Sequence, residues 1–293
     1  MKPLRQRLKE EASSKKVTQH VIEKDYALSY ILAGISKHPT LTKALIFKGG
    51  TALKKIFFGD YRFSEDLDFS VQNAPKRAAL ENALAESILT ASNLLQPFGQ
   101  FTIELKRNPE SAPHPQGQEA FVVLVKFPWQ PTALCRIKIE VTHDELVLMP
   151  PIYYPIIHNY EEKLDCAIAC YTIEEIIAEK MRALLQTHQR LVIRGWNKPR
   201  ARDYYDLWRI LKNSGDKLNT KQLLSLVKQK SDYRNVSYKN VDDFFTEKLL
   251  SETAQHWQNT LGTMVLDLPP CEVVIEETKV LVAKLFSKIL DFN

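Results

Sequence analysis

Cysteine is scarce in this chain, and the four present, Cys135, Cys166, Cys170 and Cys271, show neither Cys-x-x-Cys spacing nor a nearby histidine partner. Nothing in that spacing suggests a zinc site, and the thiols read as reduced and structural. A long apolar run is missing as well: nothing approaches the ~20 residues that cross a bilayer. The stretch from Met1 to Lys9 also has no apolar segment of a secretory signal. The expectation is a cytoplasmic protein with no membrane partner. Internal repeats and low-complexity tracts are absent too. What is present is an ordinary globular composition, 44% hydrophobic and 26% charged over 293 residues, which allows a real core in one or two domains. With 40 Lys plus Arg against 35 Asp plus Glu, the net charge is +5, so what matters is where the cations cluster.

The first residues, with Arg5, Arg7, Lys9, Lys15 and Lys16, read as a basic polar lead. Thr18 then caps a predicted helix to about Ile35, carrying Val21, Leu28, Ile31, Leu32 and Ile35 on one face. Lys24 and Asp25, in Glu23-Lys24-Asp25-Tyr26, fall within that apolar sector and predict docking on a sheet through a buried pair. Leu45 to Phe47 lead into Lys48-Gly49-Gly50-Thr51, a strand-to-helix turn, and Ala52 to Phe57 continue as a short helix. A helix is predicted from Arg77 to Leu95, and strands from Phe101 to Lys106, Phe121 to Phe127 and Cys135 to Thr142. In the last strand Ile137, Ile139 and Val141 alternate with Arg136, Lys138, Glu140 and Thr142. Between the first two strands, Asn108 to Gln118 hold three prolines and a glycine, which predicts an exposed hairpin loop. From Thr172 the pattern is helical. The expected fold class is α+β: a small mixed β-sheet core flanked by helices over 1–160, then a mainly helical domain over 161–293.

Asp66 and Asp68 stand one residue apart in Ser64-Glu65-Asp66-Leu67-Asp68-Phe69, so in a strand both project to one face and Leu67 and Phe69 to the other. Like charges side by side cost energy unless a cation sits between them, and a hard divalent ion such as Mg2+ prefers such oxygen ligands. Glu140, on the polar side of its own strand, is the third candidate ligand. The Gly49-Gly50-Thr51 turn opens a helix, where backbone N–H groups can hold a phosphate.

Two helices add further groups. Thr172-Ile173-Glu174-Glu175 is a capping box, and Ile173, Ile176, Ile177, Met181 and Leu184 define an apolar arc that includes Lys180. A lysine there needs a partner. Asp203 lies on the stripe of Leu207 and Ile210 in the next helix, so it is expected to hold Lys180 while Lys180 contacts a phosphate. Asp206 lies nearer the stripe's edge and ranks lower. Residues 190–202 between the helices read as a basic loop in which Arg190, Arg194, Lys198 and Arg200 accompany Trp196, a composition suited to a nucleic-acid backbone with a stacked base. Each feature also has a bland reading. These are a simple turn for Gly49-Gly50, edge-strand carboxylates for Asp66 and Asp68, a solvated strand residue for Glu140, a lysine reaching solvent along its stem for Lys180, an aspartate on a helix dipole for Asp203 and a solvated loop for 190–202.

Taken together, Lys48-Gly49-Gly50-Thr51-Ala52-Leu53-Lys54-Lys55 and Arg62-Phe63-Ser64-Glu65-Asp66-Leu67-Asp68-Phe69 resemble the AbiEii/AbiGii toxin group of nucleotidyltransferases, in the DNA polymerase β-like superfamily. Glu23 to Tyr26, Glu175 to Met181 and Arg202 to Leu207 extend the resemblance over roughly residues 18 to 212. It implies that Lys48, Gly49, Gly50, Thr51 and Arg62 bind the nucleotide, that Asp66 and Asp68 hold Mg2+, and that Lys180, Asp203 and Ser64 join them as catalytic residues. It also implies NMP transfer from an NTP to an acceptor such as a tRNA 3′ end, and a role as the toxin of a toxin–antitoxin or phage-defence pair with a cognate antitoxin. Here Gly50-Thr51 replaces the usual Gly-Ser, and Glu140 stands where many superfamily members have Asp. Two other readings use the same scaffold: nucleotidylation of a protein, and a catalytically silent nucleic-acid-binding or partner-binding module.

Overall fold

The structure, a computed structural model, describes residues 2–108 and 117–290, with side chains to residue 287. Contacts divide it into two units, Met1–Tyr171 and Thr172–Asn293.

The first unit runs α1 (Leu4–Lys15), α2 (Gln19–Lys37), α3 (Leu41–Ala44), β1 (Leu45–Lys48), α4 (Gly49–Ala52) continued by a π-helical turn (Leu53–Phe57), β2 (Asp66–Val71) and α5 (Ala78–Leu95). Then come β3 (Thr102–Arg107), β4 (Gln118–Lys126), β5 (Cys135–Thr142), β6 (Ile152–Pro155) and β7 (Ala167–Cys170). All seven strands join one mixed sheet in the order β3-β4-β5-β2-β1-β7-β6. β2 lies antiparallel to β1 and parallel to β5, and β1 lies parallel to β7. α2 packs on α5 and on β5 and β7, burying Ile22, Leu28, Ile31, Leu32 and Ile35. That burial of an apolar face against the sheet is the main source of the unit's cohesion.

Three expectations are corrected. The basic lead is the helix α1, anchored by the buried stripe Leu4, Leu8 and Ala12; one apolar residue per turn is too thin a pattern to stand out among so many charges. β6 and β7 were not expected, because four-residue strands give almost no periodic signal and prolines flank β6. They also move the division of the chain from near residue 160 to between Tyr171 and Thr172, since β7 pairs with β1 through Cys170 and Phe47. β3 and β4 pair as an antiparallel hairpin; of the predicted loop between them, 109–116 lie outside the described residues.

The second unit is helical: α6 (Ile173–Arg194), α7 (Ala201–Ser214), α8 (Thr220–Tyr233), α9 (Glu247–Leu261) and α10 (Cys271–Leu290). Thr172 caps α6, its hydroxyl accepting from Glu175 N at 3.3 Å. α6 packs against α8, and α7 against α9 and α10.

Candidate active site

Alternation along β2 turns Asp66 and Asp68 to one face, while Leu67 and Phe69 are wholly buried on the other. Register then decides what Asp68 meets. The antiparallel partner strand sets Lys48 opposite it, and the parallel one sets Glu140 opposite it on the other side. Lys48, Asp68 and Glu140 therefore form a row across three adjacent strands, with Asp66 two residues away along β2.

Asp68 carries the electrostatic load of this row. Burial raises its pKa first; the charges of Glu140 and Asp66 and a hydrogen bond with Glu140 add to it, and against the pull of Lys48 the carboxyl is pushed up to about 7. The Lys138 ammonium lies against Glu140 on the same strand. Lys48 sits over the Tyr171 ring, 5.7 Å from its centroid, and 3.9 Å from Glu145.

The glycine turn closes onto the same carboxylate. Gly49 adopts φ +78°, and a Cβ built there would stand 2.4 Å from Asp68 Oδ2, so both the backbone conformation and the space require glycine. A Cβ at Gly50 would meet the Arg62 guanidinium at 2.4 Å. Arg62 is buried and donates to the Phe63 carbonyl at 3.2 Å. The Thr51 hydroxyl donates to the Asp66 carbonyl and lies 2.8 Å from the Ser64 hydroxyl, tying the turn to the start of β2. Ser64 thus faces Thr51.

Asp66, Asp68 and Glu140 offer the hard oxygen donors that a divalent cation prefers, and such a cation relieves the repulsion that adds to burial in raising Asp68. Among the described residues no group of three His, Cys, Asp or Glu stands in closed metal-holding geometry. Glu140 is engaged by Lys138, so Asp66 and Asp68 are the pair that fits a metal by chemistry and by face, with Glu140 in reach of Asp68.

In the helical unit, Lys180 Nζ lies 2.9 Å from Asp203 Oδ1 and 2.7 Å from Asp206 Oδ2. The expected pairing with Asp203 is present. Asp206, ranked lower on its position, is the deeper partner at 0% side-chain exposure; its recurrence three residues after Asp203, on the same helix face, was the available signal. Arg200 Nη1 lies 3.2 Å from Asp203 Oδ2, and its Nε donates to Thr187 at 2.6 Å. Burial works against the Asp203 charge, but Lys180 and Arg200 outweigh it and bring the carboxyl down to about 2.

The basic segment differs from the expected loop. α6 continues through Arg194 and ends at Gly195, whose φ of +78° supplies the left-handed cap. Arg190 and Arg194 are therefore helical, and Arg200 is committed to Thr187 and Asp203. Arg190 has its pKa lowered by burial and then by Arg200, Arg194, Arg182 and Arg234, a concentration of like charge. Trp196 stands 69% exposed beside it in sequence, after exposed Val192 and Ile193.

The model of the family described as "Nucleotidyl transferase AbiEii toxin, Type IV TA system" matches residues 30–290. The chain belongs to the AbiEii family. It is accordingly a nucleotidyltransferase toxin of a type IV toxin–antitoxin system, a class that uses a divalent metal and is paired with a cognate antitoxin. Its fold is like that of MenT4, a nucleotidyltransferase toxin of Mycobacterium tuberculosis H37Rv, with a TM-score of 0.67 at 19% identity over 96% of this chain and 89% of that one. No curated protein matches it in sequence. Among the described residues of this AbiEii chain, no helix is long and apolar enough to cross a membrane.

Proposed function

We propose that this AbiEii chain transfers a nucleoside monophosphate from an NTP to a hydroxyl of an RNA, the 3′ end of a tRNA, with Mg2+ as the metal, and that this reaction is its toxic act in the cytoplasm and in phage defence. The observation that carries the reading is the seating of the Gly49 backbone on the Asp68 carboxylate, which joins a phosphate-binding turn to an acidic row.

In this reading Asp66 and Asp68 hold the metal, with Glu140 as third carboxylate. Bound there, Mg2+ supplies positive charge to the triphosphate and acidifies the acceptor hydroxyl. Lys48, the N–H groups of the Gly49-Gly50-Thr51 turn and Arg62 orient the phosphates. Ser64 acts through Thr51, keeping the turn against β2. Within the helical unit, Asp203 and Asp206 steady the Lys180 ammonium. The acceptor hydroxyl attacks the α-phosphorus in line and pyrophosphate leaves, so positioning and electrostatics do most of the work. Support for an RNA acceptor comes from Arg190, Arg194 and Lys198, which flank Trp196 in sequence, and from the exposure of that ring, a combination suited to phosphates with a stacked base.

The test is incubation of the purified protein with each α-labelled NTP, Mg2+ and total tRNA. Label is expected on tRNA, from a preferred nucleotide. Label on a protein would replace the RNA reading, and no consumption of any NTP would overturn the catalytic one.

A further inference from the structure

Four consecutive residues of α2 each bond to distant segments of the first unit. At ~100° per residue, Glu23, Lys24, Asp25 and Tyr26 point around the whole circumference of the helix. Glu23 accepts from Trp129 Nε1 and Gln130 Nε2, both at 2.8 Å. Lys24 donates to Glu65 at 3.0 Å. Asp25 accepts from Lys55 at 2.8 Å and from Tyr160 at 2.9 Å. Tyr26 donates to Glu162. Two of these partners matter for the site: Glu65 immediately precedes Asp66, and Lys55 lies in the π-helical turn that continues from Gly49, Gly50 and Thr51. Lys55 is fixed further by its carbonyl, which accepts from Ile157 N at 2.7 Å. A single turn of α2 thus grips both chain segments that carry the proposed metal ligands and the proposed phosphate turn.

We propose that Lys24 and Asp25 are positioning residues for nucleotidyl transfer: by holding Glu65 and Lys55, they set the spacing between the Asp66–Asp68 couplet and the glycine turn. This rests on the reading of Asp66 and Asp68 as metal ligands. The two clamps differ in accessibility. Lys55 and Asp25 are buried, with side chains 2% and 7% exposed, whereas Lys24 and Glu65 are 12% and 42% exposed. The second pair therefore tolerates charge reversal and provides the cleaner experiment.

Mn2+ binding to the protein alone, followed by electron paramagnetic resonance, is measured beside Mg2+-dependent transfer and thermal melting. The chains are wild type, Lys24→Glu, Glu65→Lys, the double reversal Lys24→Glu/Glu65→Lys, and Asp66→Ala. Each single reversal is expected to weaken Mn2+ binding about tenfold, in the range for residues that orient metal ligands. The double reversal is expected to recover most of that loss, with Asp66→Ala unable to bind or transfer. A merely structural clamp would move the melting temperature and leave the Mn2+ affinity unchanged. An affinity within about twofold of wild type in both single reversals, with Asp66→Ala inactive, overturns the positioning role and leaves the metal reading standing. An Asp66→Ala chain that still binds and transfers overturns both. Should Lys24→Glu fail to fold, Lys24→Met, which keeps the aliphatic stem, is read by the same affinity.

Discussion

Two aspartates in this protein are displaced in opposite directions. In the helical unit, Asp203 is met by Lys180 at 2.9 Å and Arg200 at 3.2 Å, and its carboxyl falls to about 2. In the sheet, Asp68 stands between Glu140 and Asp66, and its carboxyl is pushed up to about 7. Both are half-buried, and burial alone would raise either carboxyl, so the difference comes from the neighbours. The helical cluster answers its charges from within; Asp66, Asp68 and Glu140 hold more negative charge than Lys48 and Lys138 offset, the imbalance that the proposed cation would complete. The first arrangement is self-sufficient in charge; the second is the one proposed to take up a ligand.

The largest expected effect comes from removing that ligand's anchors. Asp66→Ala or Asp68→Ala should lower nucleotide transfer by on the order of 10^3-fold or more, because the lost charge stabilisation acts where the barrier lies. Far-UV circular dichroism and melting should stay near wild type, since neither side chain packs in the core. NTP consumption at the wild-type rate in both variants would remove the acidic row from the chemistry.

In the helical unit the cost should fall on stability. Removing one member of a buried ion pair typically costs about 3–5 kcal/mol, because the partner charge is left in low dielectric. Asp206→Asn should approach that range, since its side chain is fully buried against Lys180. Asp203→Asn should cost less, because its side chain is 16% exposed and Lys180 keeps Asp206. Chemical denaturation of the two variants ranks them; equal losses would show that depth does not distinguish the two acids.

Much of this comparison is legible in the sequence. The couplet announces itself because strand alternation is strict, so two acids one residue apart must share a face, and Lys180 stood out as a cation in an apolar arc. Register was not legible: that Glu140 lies opposite Asp68 depends on β2 and β5 pairing in parallel, across about 70 residues of intervening chain, and no local pattern encodes a pairing of that range. The partners of Glu23 to Tyr26 were hidden for the same reason. The buried pair was anticipated, but Asp25 takes Lys55 from thirty residues away while Lys24 takes Glu65. Asp206 lies deeper than its place on the stripe suggests, because position on a helical stripe approximates burial and the true depth depends on which helix lies opposite.

The opposite displacements also predict opposite pH limbs. Asp68 has a folded-state pKa above its ordinary value of 3.8, so its contribution to stability is complete below that value and is lost as pH rises through about 7. Asp203 is depressed from the same ordinary value, so its contribution is present above it and is lost as pH falls toward 2. In chelator, the melting temperature should fall by a few degrees between about pH 5 and pH 8. Asp68→Asn should flatten that limb, and so should added Mg2+. A limb that persists in Asp68→Asn would place its origin elsewhere.

The smallest expected effect concerns the end of α6. Arg200 is already bonded to Thr187 and Asp203, which leaves Arg190, Arg194 and Lys198 as the predicted cations suited to an RNA backbone. Changing these three to Gln should weaken RNA binding and reduce the slope of log K against log salt by about 2, at roughly 0.7 per phosphate contact on a single strand. Trp196→Ala should cost about 1–3 kcal/mol of RNA affinity with the salt slope unchanged, because stacking releases no counterions. Metal binding at the acidic row should be the same in both variants. An unchanged salt slope in the triple variant would separate this surface from the acceptor and shift the choice toward a protein substrate.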